Sequence, residues 1–235
     1  MVILSIETST RVCSAALSKN GVCIAYRIQE ENANHIQILP LFIQELLDIA
    51  RSQSLNIQAI ALSEGPGSYT GLRIGTSIAK GLCYGMNVPL VPIPSLEVLS
   101  ASAQIDHELH PILCPMIDAR RMEVYTQLYT FNEQGLLVAQ SSVEARVIEN
   151  NEWLLSAQGR QIVYYFGDGA EKCQTLLESD TVHYLGNVLP NAYVMGALAL
   201  QRLTNEQYTP IDIAYYEPFY LKEYVAAQSH VKGLK

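Results

Sequence analysis

The chain has 235 residues, 49% hydrophobic and 16% charged, which is enough apolar content for a sizeable core and the wrong composition for disorder. Its 23 acids outnumber 15 bases for a net charge of −8, and no basic run exceeds Arg120-Arg121, so unaided nucleic-acid binding is disfavoured. Five cysteines without a CxxC pair fit buried reduced thiols, and neither a signal-peptide start nor an apolar run of ~18 residues is present, so a cytoplasmic protein without membrane contact is expected.

Val2–Ile6, Cys13–Leu17 and Val22–Ile28 read as three strands in a meander. Asn20-Gly21 joins the second and third, and Asn-Gly is a strong hairpin signal. A helix is expected over about 33–50, with His35, Leu39, Phe42, Ile43, Leu46, Ile49 and Ala50 on one face. This apolar arc covers half the circumference, wider than the stripe of ~100° that one core contact needs. The width suits a second partner or simple deep burial. Pro40 should bend the helix or mark a weak first turn.

Ala59–Ser63 reads as a strand that feeds the loop Gly65-Pro66-Gly67-Ser68, and a second helix runs from there to about Gly85. Ser68 or Thr70 can cap it. Gly71, Gly75, Ile78, Ala79 and Leu82 share one face, flanked by Ile74, Gly81 and Gly85. Each internal glycine costs a helix about 1 kcal/mol relative to alanine, so close backbone approach to another element should offset it. That element is a partner helix or the chain's own sheet. Val88–Ile93 then reads as a short strand, and Ser95 as the cap of a third helix.

The second half repeats the order loosely. Ile112–Ile117 is a strand ending in Asp118-Ala119-Arg120-Arg121, Glu123–Phe131 alternates as a strand, and Leu136–Gln140 pairs with it. Helices are expected over 149–157, from Gly169 to about Leu177, and over 191–203, with a strand at Ile162–Phe166. Two lobes follow, 1–104 and 105–235, with the tail from about 205 packing back on the first and a charged, mobile end.

A strand ending in Glu7-Thr8 together with a Gly65–Gly71 loop suits nucleotide phosphates, with Glu7, Thr8, Gly65, Gly67 and Ser68 as candidate nucleotide-facing residues. Glu7 could hold magnesium through water, or be an ordinary strand-end acid. The loop reads GxGxxxG and lacks the Lys-Ser/Thr of a P-loop. Among the histidines, His35 has Leu39 rather than a second histidine one turn on, and His107 and His110 sit in a charged connector. His183 and His230 stand apart, so no zinc ligand set forms. No GxSxG elbow is present.

Five blocks carry a family resemblance. They are Ile6-Glu7-Thr8-Ser9, the run from Gly65 to Gly75, Pro94-Ser95-Leu96-Glu97, Asp118 to Tyr125, and Pro218-Phe219-Tyr220-Leu221. Together they resemble the TsaB (YeaZ) family, the accessory subunit of bacterial tRNA threonylcarbamoyladenosine synthesis. The Gly65–Gly75 block is the most specific; Glu7-Thr8-Ser9 is shared with the catalytic paralogue TsaD. The resemblance implies an α/β fold of two actin/hexokinase-like ATPase (ASKHA) lobes, each a mixed sheet flanked by helices. It implies a non-catalytic scaffold that binds and activates a TsaD-type subunit in threonylcarbamoyl modification of adenosine in tRNA.

The same resemblance implies a TsaE-type ATPase as a second partner and tRNA held mainly by the partners. It implies a homodimer when the chain is alone and no cofactor of its own, with ATP and metal on partner subunits. TsaD's metal site uses two histidines four apart, and the pair here is His35 and Leu39. The implied interface lies on the first-lobe helices, at His35, Ile38, Leu39, Phe42, Leu46, Gly71, Gly75, Ile78, Ala79 and Leu82. Two alternatives stay open: an ATPase or phosphotransferase of the same fold, working through Glu7 and the glycine loop, and a metallopeptidase, for which no ligand set is evident.

Overall fold

The computed structural model describes residues 1–30, 34–159, 161–206 and 208–222. The expected meander forms as β1 (Val2–Glu7), β2 (Cys13–Lys19) and β3 (Val22–Gln29). Asn20 and Gly21 both take positive φ, 53° and 81°, as a two-residue hairpin turn demands. Then come α1 (His35–Ser52), β4 (Ala59–Gly65), α2 (Tyr69–Met86), β5 (Leu90–Pro94) and α3 (Ser95–Ser102). Ala33, an expected residue of the first helix, lies outside the described residues, and α1 runs through Pro40.

The first sheet has the order β3-β2-β1-β4-β5, with β4 parallel to β1 and β5 parallel to β4. Pro92 is tolerated because β5 is an edge strand. The α1 residues Leu39, Ile43, Leu46 and Ala50 and the α2 residues Ala79 and Cys83 cover one face with Leu4, Ile6, Leu17 and Leu62. Ser95 does not cap α3. Its Oγ accepts from Gly65 N at 3.0 Å and fixes the end of β4, and the cap position falls to Pro94.

The second lobe runs β6 (Ile112–Asp118), β7 (Glu123–Thr126), β8 (Tyr129–Phe131), β9 (Leu137–Ala139), β10 (Glu144–Val147), α4 (Glu152–Gln158), β11 (Val163–Phe166), α5 (Gln174–Leu177), β12 (Val182–Gly186) and α6 (Ala192–Leu203). The expected single strand 123–131 is split at Gln127-Leu128, where Leu128 N donates to Ser141 Oγ at 2.9 Å. Both pieces pair with β6, and β9 pairs with β8. The helix expected over 149–157 begins only at Glu152, and the one after Gly169 is a 3-10 turn followed by the single turn of α5. His107–Leu109 is a 3-10 turn in the connector between the lobes.

The expected division at 104/105 differs from the packing. The chain returns to the first lobe at Asn191 rather than at about 205, because Ala192, Met195, Leu198 and Ala199 of α6 cover the second face of the first sheet against Ile3, Ala16, Ala61 and Val91. Asn191 caps α6 by accepting from Tyr193 N at 2.9 Å, and Ala192 N donates to Ser14 Oγ at 3.0 Å. Residues 208–222 then strap the same lobe: Lys80 Nζ donates to the Ala214 and Tyr216 carbonyls, and Phe219 N to the Glu64 carbonyl at 2.7 Å. The charged end beyond 222 lies outside the described residues. Between the lobes, α3 turns Val98 to the first sheet and Leu96 and Leu99 to Leu113, Ile117 and Phe166 of the second.

The glycine stripe of α2 finds its close approach inside the chain. A Cβ on Gly71 would overlap the Thr8 carbonyl oxygen, and one on Gly75 would overlap Thr8 Oγ1, whereas a Cβ on Gly81 or Gly85 would have nothing within 4 Å among the described residues. Gly75→Ala should therefore destabilise the fold by about 1–3 kcal/mol through overpacking. Gly81→Ala should stabilise it by up to about 1 kcal/mol through helix propensity. Urea unfolding of the two variants measures the contrast, and equal effects would refute this packing.

Candidate functional site

Two regions carry the chemistry: a cleft between the lobes and the outer side of α1 and α2. The cleft has a volume of about 1120 Å³. Its first-lobe wall is the turn Ser9-Thr10-Arg11 after β1 and the start of α2, and its second-lobe wall is the β6–β7 turn with Asp168. Phe219, Tyr220, Leu221 and Lys222 of the strap line it as well.

Of the candidate nucleotide-facing residues, only Gly67 and Ser68 line this cleft. Ser68 caps α2 by accepting from Gly71 N at 3.3 Å. Gly65 is packed under the strap, where a Cβ would overlap the Phe219 carbonyl oxygen. Glu7 and Thr8 are completely buried. With α2 seated on Thr8, the Glu7 carboxyl is enclosed and lies off the cleft lining.

The Glu7 carboxyl faces inward. Its Oε1 accepts from Ser9 N and Ser9 Oγ, both at 2.6 Å, and among the described residues its Oε2 has no hydrogen-bond partner. Burial pushes its pKa up to about 7, against the opposing pull of the Ser9 bonds. The adjacent Cys13 thiol is pushed up to about 12, mainly by burial and further by Glu7.

On the opposite wall the acids are already engaged. Asp118 takes an ion pair from Lys172 and a hydrogen bond from Arg120 N at 3.1 Å. Glu123 pairs with Lys222 of the strap. Asp168 accepts from Asp118 N at 3.0 Å, and burial raises its carboxyl. Arg120 and Arg121 both hold left-handed backbone, at φ 71° and 51°. The Asp118 turn entered the sequence reading only as a block of the family resemblance, and Arg11, Asp168 and Lys222 were missed as cleft residues. The Pro218–Leu221 block marked the family resemblance without marking its place on the cleft.

On the helices, Leu39, Leu46, Gly71, Gly75 and Ala79 are buried in the lobe's own core and present no side chain outward. His35, Ile38, Phe42, Ile78 and Leu82 are half-buried and keep surface to offer. Ile36 and Leu41 of α1 are 65% and 63% exposed, and Tyr84 of α2 is 87% exposed. His35 Nε2 lies 3.0 Å from the Val12 carbonyl and so ties α1 to the start of β2.

Glu7 should leave a pH signature. In the unfolded chain it ionises near 4.5, and in the fold only near about 7. The unfolded state therefore loses its proton first. The Glu7 contribution to stability is full below 4.5, falls as pH rises to about 7, and is flat above. The fall amounts to about 3 kcal/mol. Glu7→Gln should remove it, so urea unfolding at pH 5 and pH 8 should differ less in the variant than in the parent.

A family model described as "TsaD: tRNA N6-adenosine threonylcarbamoyltransferase" matches residues 29–228. The chain is 30% identical over 235 residues to the Escherichia coli tRNA threonylcarbamoyladenosine biosynthesis protein TsaB, covering 96% of each. It is 36% identical over 138 residues to the Bacillus subtilis protein of that name, covering 58% of each. The solved structure of YeaZ from Pseudomonas aeruginosa superposes with a TM-score of 0.75 at 22% identity, covering 94% of this chain and 99% of that one, which is a likeness of fold. The fold is the expected actin/hexokinase-like pair of lobes, and among the described residues no helix is long and apolar enough to cross a membrane. With its match along almost the whole chain, this protein belongs to the TsaB (YeaZ) family of tRNA threonylcarbamoyladenosine biosynthesis.

Proposed function

We propose that this chain is a non-catalytic, cytoplasmic subunit that docks a TsaD-type catalytic subunit on its α1–α2 side and activates it. ATP and metal then belong to TsaD-type and TsaE-type partners, and the chain alone pairs with itself through the same side. The supporting observation is a helix layer whose inner residues are in the core while Ile38, Phe42, Ile78 and Leu82 stay half-covered and Ile36 and Leu41 stay exposed. Apolar surface left on two adjacent helices gains free energy when another surface covers it.

Gly81 and Gly85 add open backbone on the outer side of α2, where a Cβ would have nothing within 4 Å among the described residues. They suit close helix approach better than Gly71 and Gly75, which Thr8 already fills. The ATPase alternative needs an exposed carboxylate at the end of β1 to organise a metal-bound nucleotide, and Glu7 is enclosed.

Light-scattering mass of the chain alone and mixed with a TsaD-type subunit tests the proposal. The expected result is a self-dimer that gives way to a one-to-one complex. Ile36→Glu with Gly81→Glu should weaken both by at least about tenfold, roughly 1.4 kcal/mol, with the melting temperature retained because both sites are exposed. A monomer indifferent to TsaD, or a variant that assembles as well as the parent, overturns it.

A further inference from the structure

The cleft carries more positive charge than its own acids use. Lys172 and Lys222 are spent on Asp118 and Glu123. Among the described residues, Arg11, Arg120 and Arg121 line the cleft without an ion pair, and the Asp168 carboxyl is the acid that remains near Arg11. Arg11 comes from the first lobe, and Arg120 and Arg121 from the second. Arg120 and Arg121 take left-handed backbone in the turn between β6 and β7, and this turn puts both residues on the cleft lining.

The same cleft has aromatic walls. Tyr69, Tyr125, Phe219 and Tyr220 line it. Tyr69 and Tyr220 pack with ring centroids 5.1 Å apart and planes tilted by 38°, and the Arg73 guanidinium lies 4.8 Å over Tyr69. Arginines without an ion pair among the described residues, beside packed tyrosine rings, fit a planar base joined to a phosphate.

We infer that the interlobe cleft takes an unpaired stretch of RNA, one base against the Tyr69–Tyr220 wall and its phosphates on Arg11, Arg120 and Arg121. A magnesium–nucleoside triphosphate fits less well. It needs free carboxylates for the metal, whereas Glu7 is enclosed and Asp118 and Glu123 are held by lysines. Phosphodiesters carry one charge each and pair with arginine directly. The inference draws on the tRNA-modification reading for the source of the RNA, not for the site. The net charge of −8 keeps the contact local, a grip on one loop rather than on a whole tRNA.

Fluorescence anisotropy of the full chain with labelled tRNA and with single-stranded oligoadenylate, at low salt, tests it. Both should bind. Arg11→Ala and the pair Arg120→Asn with Arg121→Asn should each weaken binding by roughly tenfold and lower the salt slope by about 0.7 per arginine removed. Asparagine is chosen because it tolerates left-handed backbone. Tyr220→Leu should weaken binding by roughly tenfold and leave the slope unchanged. Lys19→Ala, an exposed cation outside the cleft, should change nothing.

RNA binding that is absent, or that ignores the cleft substitutions, overturns the inference. So does binding of magnesium–ATP that depends on these arginines while RNA binding does not. Melting temperature and association with the TsaD-type subunit are read on the same samples. Loss of RNA with association intact supports the cleft site, whereas failure of the parent chain to associate refutes the docking proposal and leaves the RNA result standing.

Discussion

The seat of α2 on Thr8 governs most of what this molecule can do. Two glycines, Gly71 and Gly75, let the helix backbone approach the end of β1 until no side-chain atom fits between them. That approach shuts Glu7 away from solvent and raises its carboxyl toward neutrality. It also sets the start of α2, with Gly67 and Ser68, on the cleft wall. A strand-end acid that would organise a metal in an exposed setting is turned into a buried hydrogen-bond acceptor for Ser9. The same close approach that completes the core leaves this acid enclosed among protein atoms.

Much of the first lobe was legible because its signals are local. The Asn20-Gly21 turn, the alternation of strands and the serine cap of α2 depend on residues within a few positions of one another. The second lobe was less so. Its outer strands, β10 and β12, lie at the two edges of the sheet and carry polar residues such as Glu144, Arg146 and His183, so no apolar run announces them. Ser95 reads as a helix cap and serves instead as acceptor for Gly65 N, thirty positions away, a contact that only the tertiary fold creates.

The sites divide in the same way. Helical periodicity located the apolar arc of α1 and the glycine stripe of α2, but periodicity gives a face and not its occupant. Leu39, Leu46 and Ala79 belong to the lobe's own core, and what is left for another protein is the flank. The cleft could not be read from any single segment. Arg11, the Arg120-Arg121 turn and the strap at Phe219–Lys222 are brought together by two lobes and a returning tail. In sequence Arg120 and Arg121 stand between Asp118 and Glu123 and look charge-balanced; that lysines take up those two acids is visible only in the folded chain.

The return of α6 to the first sheet makes the second lobe an insertion in the first. Apart from Val98 of α3, one face of the β1–β5 sheet waits for Ala192, Met195 and Ala199 to cover it, and that face includes Ile3, Ala16 and Ala61. On a ribosome the first lobe is therefore synthesised early and completed late, after every residue of the second has emerged. During that interval its apolar underside is open to chaperones and to misplaced contacts, and a chain cut short before Asn191 would lack the cover that α6 gives the first lobe.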